Sequence, residues 1–439
     1  MTIHPEREIA NLAGADVVDE LEVAAMLETH GITDADAVSG YGEPDVFALA
    51  TRLMRDRPAG PPAPVPEAAP WTPEPARHAL RGLLYVLPAL GYVAVAGLVA
   101  GRAAILLLAG SLGVAWAAGQ ALAYLGHVRL GRPDPDGARE LLRGGTAFAV
   151  PLLILLIVGS ALVFAVPPGA VMVASGQVVY LLAATVPLVL GAERLLALAL
   201  APATVAVPAG LIAGGDAVRS APVLGAVCLS LLATVAVAVH VTRGAPVTVP
   251  GRAELTAALP YAAYGLCAAG LVLFVPVSRA GSAPAAAMAA LIPLSLSMGL
   301  AEWLLVRLRI AGHRRLRSAT TLAGFARHTR LAVTLTVAGY TVALAAGCRL
   351  AALTAERITG VTPGAASFVA LGAALFLSLM LLAYGYRWPV IGACATAVGA
   401  ELALLAGAAD PETIQLGVTG LLAAGLFLAA LTLLGRAHR

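Results

Sequence analysis

Residues 111–130 read SLGVAWAAGQALAYLGHVRL, and residues 297–316 read SMGLAEWLLVRLRIAGHRRL. Eight of these twenty positions agree without a gap, among them the polar set Ser111/Ser297, His127/His313 and Arg129/Arg315. Shared Ala and Leu would follow from composition alone. A G-H-x-R-L at the same distance from an S-x-G does not, so the chain carries an internal duplication. Each copy is an apolar run that ends in a basic break. Upstream of each copy stands an L-P-x-x-x-Y: Leu87, Pro88 and Tyr92 in the first half, Leu259, Pro260 and Tyr264 in the second. Proline inside a helix frees a carbonyl and bends the axis. Pro88 and Pro260 are therefore expected as paired gate kinks, although proline is also common in membrane helices at large.

The composition extends this reading to the whole chain. Of 439 residues, 59% are hydrophobic and only 12% charged, whereas a soluble domain carries about a quarter charged residues. From about Ala79 onward, apolar runs of some twenty residues alternate with short polar breaks. A helix rising 1.5 Å per residue crosses a hydrocarbon core of about 30 Å in such a run. Spans are expected near 80–101, 103–125, 146–166, 170–190, 195–213, 222–241, 255–277, 284–307, 331–350, 362–384, 388–407 and 413–434. Lipid offers backbone amides no partner, so the spans must be helices. All 28 basic residues are arginine, which reads as the codon bias of a GC-rich bacterial genome. Breaks after even-numbered spans, with the C-terminus, hold seventeen arginines; those after odd-numbered spans hold Arg102, Arg219, Arg279, Arg349 and Arg357. The positive-inside rule puts both termini in the cytoplasm, and the expected location is the bacterial cytoplasmic (plasma) membrane, multi-pass. The fold class is thus an all-α polytopic membrane protein: two parallel six-helix lobes, residues 79–253 and 254–439, related about an axis normal to the membrane.

Ahead of the spans lie two further regions. Residues 1–58 carry twelve Asp or Glu against four Arg, with no basic region leading into an apolar core, so no secretory signal is expected. Residues 1–57 read as a small acidic helical module: one helix over Asp16–His30 stopped by Gly31, a turn capped by Thr33, and a second helix opened by Pro44. Docking a cytoplasmic protein partner is one reading of it; a partly ordered acidic tail is the other. Residues 58–78 read as a linker, since eight prolines fall in 58–77 and make an extended spacer. The four cysteines sit singly in apolar stretches and read as packing residues.

Acids within spans are functional-site candidates by default, because an unpaired charge in hydrocarbon is costly. Glu302 lies in span 8, where it can pair with Arg307 or Arg309 or bind a coupling proton. Glu401 in span 11 carries the same alternatives. Gln120 and Gln177 more often join helices than bind cargo. Glu193-Arg194 and Tyr386-Arg387 fall at equivalent turns and read as caps. His127, Arg129, His313 and Arg315 belong to the repeat and are expected to orient its loops.

The stretch from Gly126-His-Val-Arg-Leu-Gly131 through Asp134, Gly137, Ala138 and Arg139 to Arg143 resembles the loop after the second span in the multidrug/oligosaccharidyl-lipid/polysaccharide flippase superfamily. That superfamily includes drug-extruding MATE transporters and polysaccharide and lipid II flippases. The resemblance covers about residues 80–435. It implies two lobes rocking about a central cavity lined by spans 1, 2, 7 and 8, with Tyr92, Gln120, Tyr264 and Glu302 as cargo contacts. The chain departs from drug-exporting relatives in having no acid inside spans 1 or 7, Glu254 lying only at the edge. It departs from lipid II flippases in that Arg81, Arg102 and Arg307 stand near span ends, where snorkelling is the ordinary account. The leading expectation is a transporter for a lipid-linked glycan or another amphipathic envelope precursor. The alternatives are a small-molecule exporter of the same fold and a non-transporting scaffold in envelope assembly. Short outer loops, and the lack of HExxH, phosphate-binding glycine loop or Ser/His/Asp spacing, argue against an enzyme. No cofactor, metal or nucleic-acid partner is expected.

Overall fold

The computed structural model describes residues 19–56, 74–99, 101–132, 134–279, 284–318, 321–359, 365–407 and 409–434. The chain divides into two compact units, Met1–Trp71 and Thr72–Arg439.

Among the described residues the first unit has three helices where the sequence suggests two: α1 (Glu20–Thr29), α2 (Asp34–Tyr41) and α3 (Val46–Arg55). The segment after Thr33 is a full helix because Thr33 and Asp36 form a reciprocal capping box, which satisfies two free amides at once. Asp19 and Asp45 cap the other two helices, and Gly31 and Gly42 end α1 and α2 in the left-handed conformation that glycine adopts without strain. Val23, Leu27, Ile32, Ala37, Val46 and Leu49 close a small core. Residues 16–18 of the expected first helix and residues 58–73 of the expected linker lie outside the described residues.

Among the described residues the second unit holds twelve helices long and apolar enough to span a membrane. They are span 1 (Pro75–Leu98), span 2 (Arg102–Gly131), span 3 (Pro135–Val163), span 4 (Pro168–Val189), span 5 (Glu193–Ala213), span 6 (Ala221–Val241), span 7 (Arg252–Ser278), span 8 (Leu291–Arg315), span 9 (Ala323–Thr354), span 10 (Ala365–Ala383), span 11 (Arg387–Leu405) and span 12 (Pro411–Leu433). The number and order are those of the hydropathy pattern, while several ends run further than apolarity alone suggests. Span 1 starts inside the stretch read as linker, with Pro75 in its first turn, where the missing amide costs nothing. The family-like stretch gives span 3 its start: Asp134 accepts from the Gly137 amide at 2.9 Å and from Arg129 at 3.3 Å. A side chain at Gly137 would collide with that carboxylate.

The buried apolar residues gather mainly in two clusters. One lies within spans 7–12, the other within spans 2, 3, 4 and 6. Lipid-facing positions stay exposed, as Leu162 does at 78%. The segment between the halves, 242–251, is pinned to span 3: Arg143 donates to the Ala245 carbonyl at 2.7 Å, and Gly144 leaves room only for the Thr248 backbone.

Candidate functional site

The two halves meet at two helix crossings, span 1 with span 8 and span 2 with span 7, and the repeat explains both. Ser111 and Ser297 each turn their hydroxyl back to the carbonyl three residues earlier, Leu108 at 3.0 Å and Leu294 at 2.7 Å. That leaves the glycine of each S-x-G to face the first span of the other half. A Cβ on Gly299 would stand 2.2 Å from the His78 carbonyl oxygen, and one on Gly82 would stand 2.7 Å from the Leu296 carbonyl oxygen. Gly113 faces Leu266 and Ala269 of span 7, and Gly265 lies against Ala117 and Gln120. Small residues let helix backbones approach where lipid supplies no hydrophobic drive. The contacts run from the arginine-rich ends of spans 1, 2 and 7 to about the middles of spans 2 and 7, and they meet span 8 at Leu296, Gly299 and Glu302, near its middle.

At the span 1–span 8 crossing the backbone approach brings a charge network together. The Arg81 guanidinium donates through Nε to Glu193 Oε1 at 2.8 Å, through Nη1 to Glu302 Oε2 at 3.0 Å, and through Nη2 to the Leu188 carbonyl at 2.7 Å. Leu188 is in the last turn of span 4, where carbonyls lack helical partners, so Arg81 also caps that helix. Tyr85 donates to the other oxygen of Glu302 at 2.9 Å, and His78 Nδ1 stands 3.5 Å from Glu302. Arg77 bonds Glu193 at 2.8 Å. His127 of span 2 lies within electrostatic range of Arg81 and Glu302. One arginine thus joins spans 1, 4, 5 and 8 across the two halves. Its planar fork, with fixed donor directions, suits this task better than a lysine would.

These contacts correct three expectations. Glu302 pairs with Arg81 across the halves, and its neighbours go elsewhere: Arg309 donates to the Ala383 carbonyl at 2.8 Å and Arg307 stacks 4.7 Å over the Trp303 ring. Arg81 does not snorkel; its side chain is 15% exposed. Glu193, read as a cap, is 5% exposed and central to the network. The signal for it was the i, i+4 pair Arg77/Arg81 at the start of span 1, two cations that need buried anions.

The span 2–span 7 crossing is held differently. Tyr124 and Tyr261 stack with ring centroids 3.9 Å apart, and Arg129 pairs with Glu254 at 2.5 Å. Gln120 sits here, against Gly265. The remaining cargo candidates lie apart. Tyr92 bonds the Gln177 side chain, which in turn donates to Leu108 and Ser111, each at 3.1 Å, so Tyr92 ties spans 1, 2 and 4 within one half. Tyr264 is packed in the core of the second half at 7% exposure. The two prolines also differ. Span 1 breaks at Leu87 and restarts at Pro88, whereas Pro260 lies inside an uninterrupted helix. Span 7 is packed against span 2 on both sides of its proline, while beyond Leu87 span 1 leans on spans 5 and 6 through Leu90, Ala94 and Val227. His313 and Arg315 lie in the last turns of span 8, with Arg315 exposed. Glu401 is buried at 1% exposure, away from both crossings.

No family model matches the sequence, and no curated protein matches it. Among solved structures the chain is similar to a MATE in complex with MaL6, at a TM-score of 0.48 and 15% identity, covering 81% of this chain and 94% of that one. It is similar to a MATE in the bent conformation at 0.41 and 16%, covering 83% and 93%. It is also similar to an outward-facing multidrug resistance MATE family transporter of the MOP superfamily at 0.40 and 15%, covering 82% and 94%. At these values no residue role and no cargo passes from those proteins to this one.

Proposed function

We propose that the chain is a membrane transporter that works by alternating access between its two six-helix halves, and that its cargo is a lipid-linked glycan or a similar amphipathic envelope precursor. The observation that carries this reading is the one-sided junction of the halves. Their contacts, two glycine-lined crossings and the Arg81 network, run from the arginine-rich ends of spans 1, 2 and 7 to about the middles of spans 2, 7 and 8, and none is found nearer the opposite ends among the described residues. Such a junction is a gate: closed at one end, it leaves the halves free to diverge toward the other. The break at Pro88 favours an amphipathic cargo. Past it, span 1 packs on spans 5 and 6 and so diverges from span 8, which gives a lipid tail a lateral way in from the bilayer.

Locking the span 2–span 7 crossing tests the proposal. In proteoliposomes, a fluorescent lipid-linked saccharide is flipped by the wild type and becomes open to an external quencher. Oxidised Tyr124→Cys/Tyr261→Cys protein stops that movement, and reduction restores it. Movement indifferent to the lock sinks alternating access through this gate. Transport of a soluble cationic dye, with none of the lipid-linked probe, moves the assignment to a small-molecule exporter.

A further inference from the structure

Spans 5 and 6 pack antiparallel, and one bond fixes their register: the Ala203 amide donates to the Ser230 hydroxyl at 3.0 Å. Counted from that tie at 1.5 Å per residue, Ala199 comes close to Ala233 in depth and Arg194 close to His240. Between the tie and the arginine-rich ends the helices do not close on each other. A furrow of about 420 Å³ lies there, walled by Leu195 and Leu198 of span 5 and Val237 of span 6. Ala199, Ala233 and Ala236 are too small to fill it. Leu195, Leu198 and Ala236 are exposed, so the furrow opens to the bilayer. From Ala233 to His240 it extends about 10 Å along the helix axis, roughly two thirds of the hydrocarbon depth of one leaflet.

The arginine-rich end of this furrow is polar and unsatisfied. His240 lines it, and Arg194 stands at nearly the same depth. Arg243 follows in the turn that continues span 6, its amide bonded to the His240 carbonyl at 3.1 Å. All three residues are exposed, and none of their side chains has a partner among the described residues. Other arginines on this side are engaged: Arg129 pairs with Glu254 and Arg139 with Asp136, while Arg143 and Arg309 donate to carbonyls. The single acid of spans 5 and 6, Glu193, is turned inward to Arg77 and Arg81. Arg194 also stands against the electrostatics of its own helix. Span 5 starts without a side-chain cap, and the helix dipole disfavours a cation in a first turn. An anion at that place reverses the balance, because uncapped amides and a guanidinium both favour one.

An apolar furrow at leaflet depth with a cationic mouth at the interface matches one class of molecule. We propose that spans 5 and 6 form a binding site for an anionic phospholipid of the leaflet on the arginine-rich side. One acyl chain lies in the furrow, and Arg194, His240 and Arg243 meet the phosphate. A zwitterionic lipid fits the furrow but gains less from the mouth. Free phosphate meets the mouth and leaves the furrow empty. The site rests on spans 5 and 6 alone and is independent of the transport reading above.

Native mass spectrometry of the purified full-length chain tests the site by counting bound lipids during titration with phosphatidylglycerol, phosphatidylcholine or inorganic phosphate. One saturable phosphatidylglycerol site is expected, preferred over phosphatidylcholine by about thirtyfold, the contribution of two interfacial arginines. Arg194→Gln/Arg243→Gln, which removes no contact within the protein, should abolish that preference. Ala236→Leu fills the furrow and keeps the mouth, and it should weaken phosphatidylglycerol binding about tenfold, the equivalent of two methylenes kept out. Equal affinity for the two lipids, or a preference that survives the double variant, overturns the proposal. Wild-type phosphatidylglycerol affinity in Ala236→Leu, with inorganic phosphate binding as tightly, makes the mouth a plain anion site and overturns it too. Should Ala236→Leu not fold, dihexanoyl phosphatidylglycerol on the wild type answers the same point. It should bind at least tenfold more weakly than the long-chain lipid, and equal binding overturns the furrow.

Discussion

Arg81 and Glu302 are unequal partners, and their difference is measurable. Glu302 keeps Tyr85 and His78 if Arg81 is removed, but Arg81 serves Glu193, Glu302 and the Leu188 carbonyl together. Removing one member of a buried pair leaves the other charge uncompensated, at roughly 3 kcal/mol. Arg81→Gln should therefore lower the thermal unfolding midpoint in detergent clearly more than Glu302→Gln, which keeps its shape and can still accept from Tyr85. Equal shifts would show that Glu193 and the span 4 carbonyl contribute nothing. In the N-terminal unit the Thr33 hydroxyl and amide hold the Asp36 carboxyl below the usual carboxylate range. A depressed carboxylate stabilises above its unfolded value and ceases to do so as pH falls through the folded one. The protection of the amides over residues 34–41 of the full chain, measured against their intrinsic exchange rates at each pH, should accordingly fall in acid, and Thr33→Ala should bring the same fall at neutral pH, at a cost of about 1 kcal/mol.

At the scale of helices, packing outweighs exposed charge in deciding which contacts hold the junction. The Arg129 and Glu254 side chains are 38% and 30% exposed, and exposed ion pairs contribute only about 0–1 kcal/mol. The glycine crossing of spans 1 and 8 admits no such leniency, because the atoms a new Cβ on Gly82 or Gly299 would meet are backbone. Spin labels at positions 136 and 327, on the arginine-rich ends of the two halves, can read the junction by distance measurement. Gly299→Ala should lengthen and broaden that distribution by forcing spans 1 and 8 apart, while Glu254→Gln should leave it close to wild type. The reverse ranking would make the ion pair, not the crossing, the fastening. The same reasoning separates the prolines: Pro88 breaks its helix where packing changes sides, and Pro260 does not where packing is continuous.

For the whole molecule, the two lobes and the gate between them come from different sources of information. Twelve spans, their order and the duplication are legible in the sequence, because a bilayer imposes one length and one hydrogen-bonding solution on every segment that crosses it. The S-x-G repeat is legible as a pattern; its second glycine, Gly299, is a point of backbone approach between the halves, while Gly113 stands in ordinary contact with span 7. The sequence likewise marked Glu302 and Glu401 as costly, since a charge inside a span is anomalous wherever it points. It could not tell that one is paired and that the other has no hydrogen-bond partner among the described residues. Arg81 and Glu193 lie 112 positions apart and Arg81 and Glu302 lie 221 apart, and no periodicity links residues on different helices. The same limit kept Tyr92 and Tyr264, equivalent in sequence, from revealing that one joins a hydrogen-bond network and the other a core. Hydropathy and repetition are properties of a segment and can be read along the chain. Partnership belongs to helix faces that meet only after folding, and the tertiary structure alone decided it.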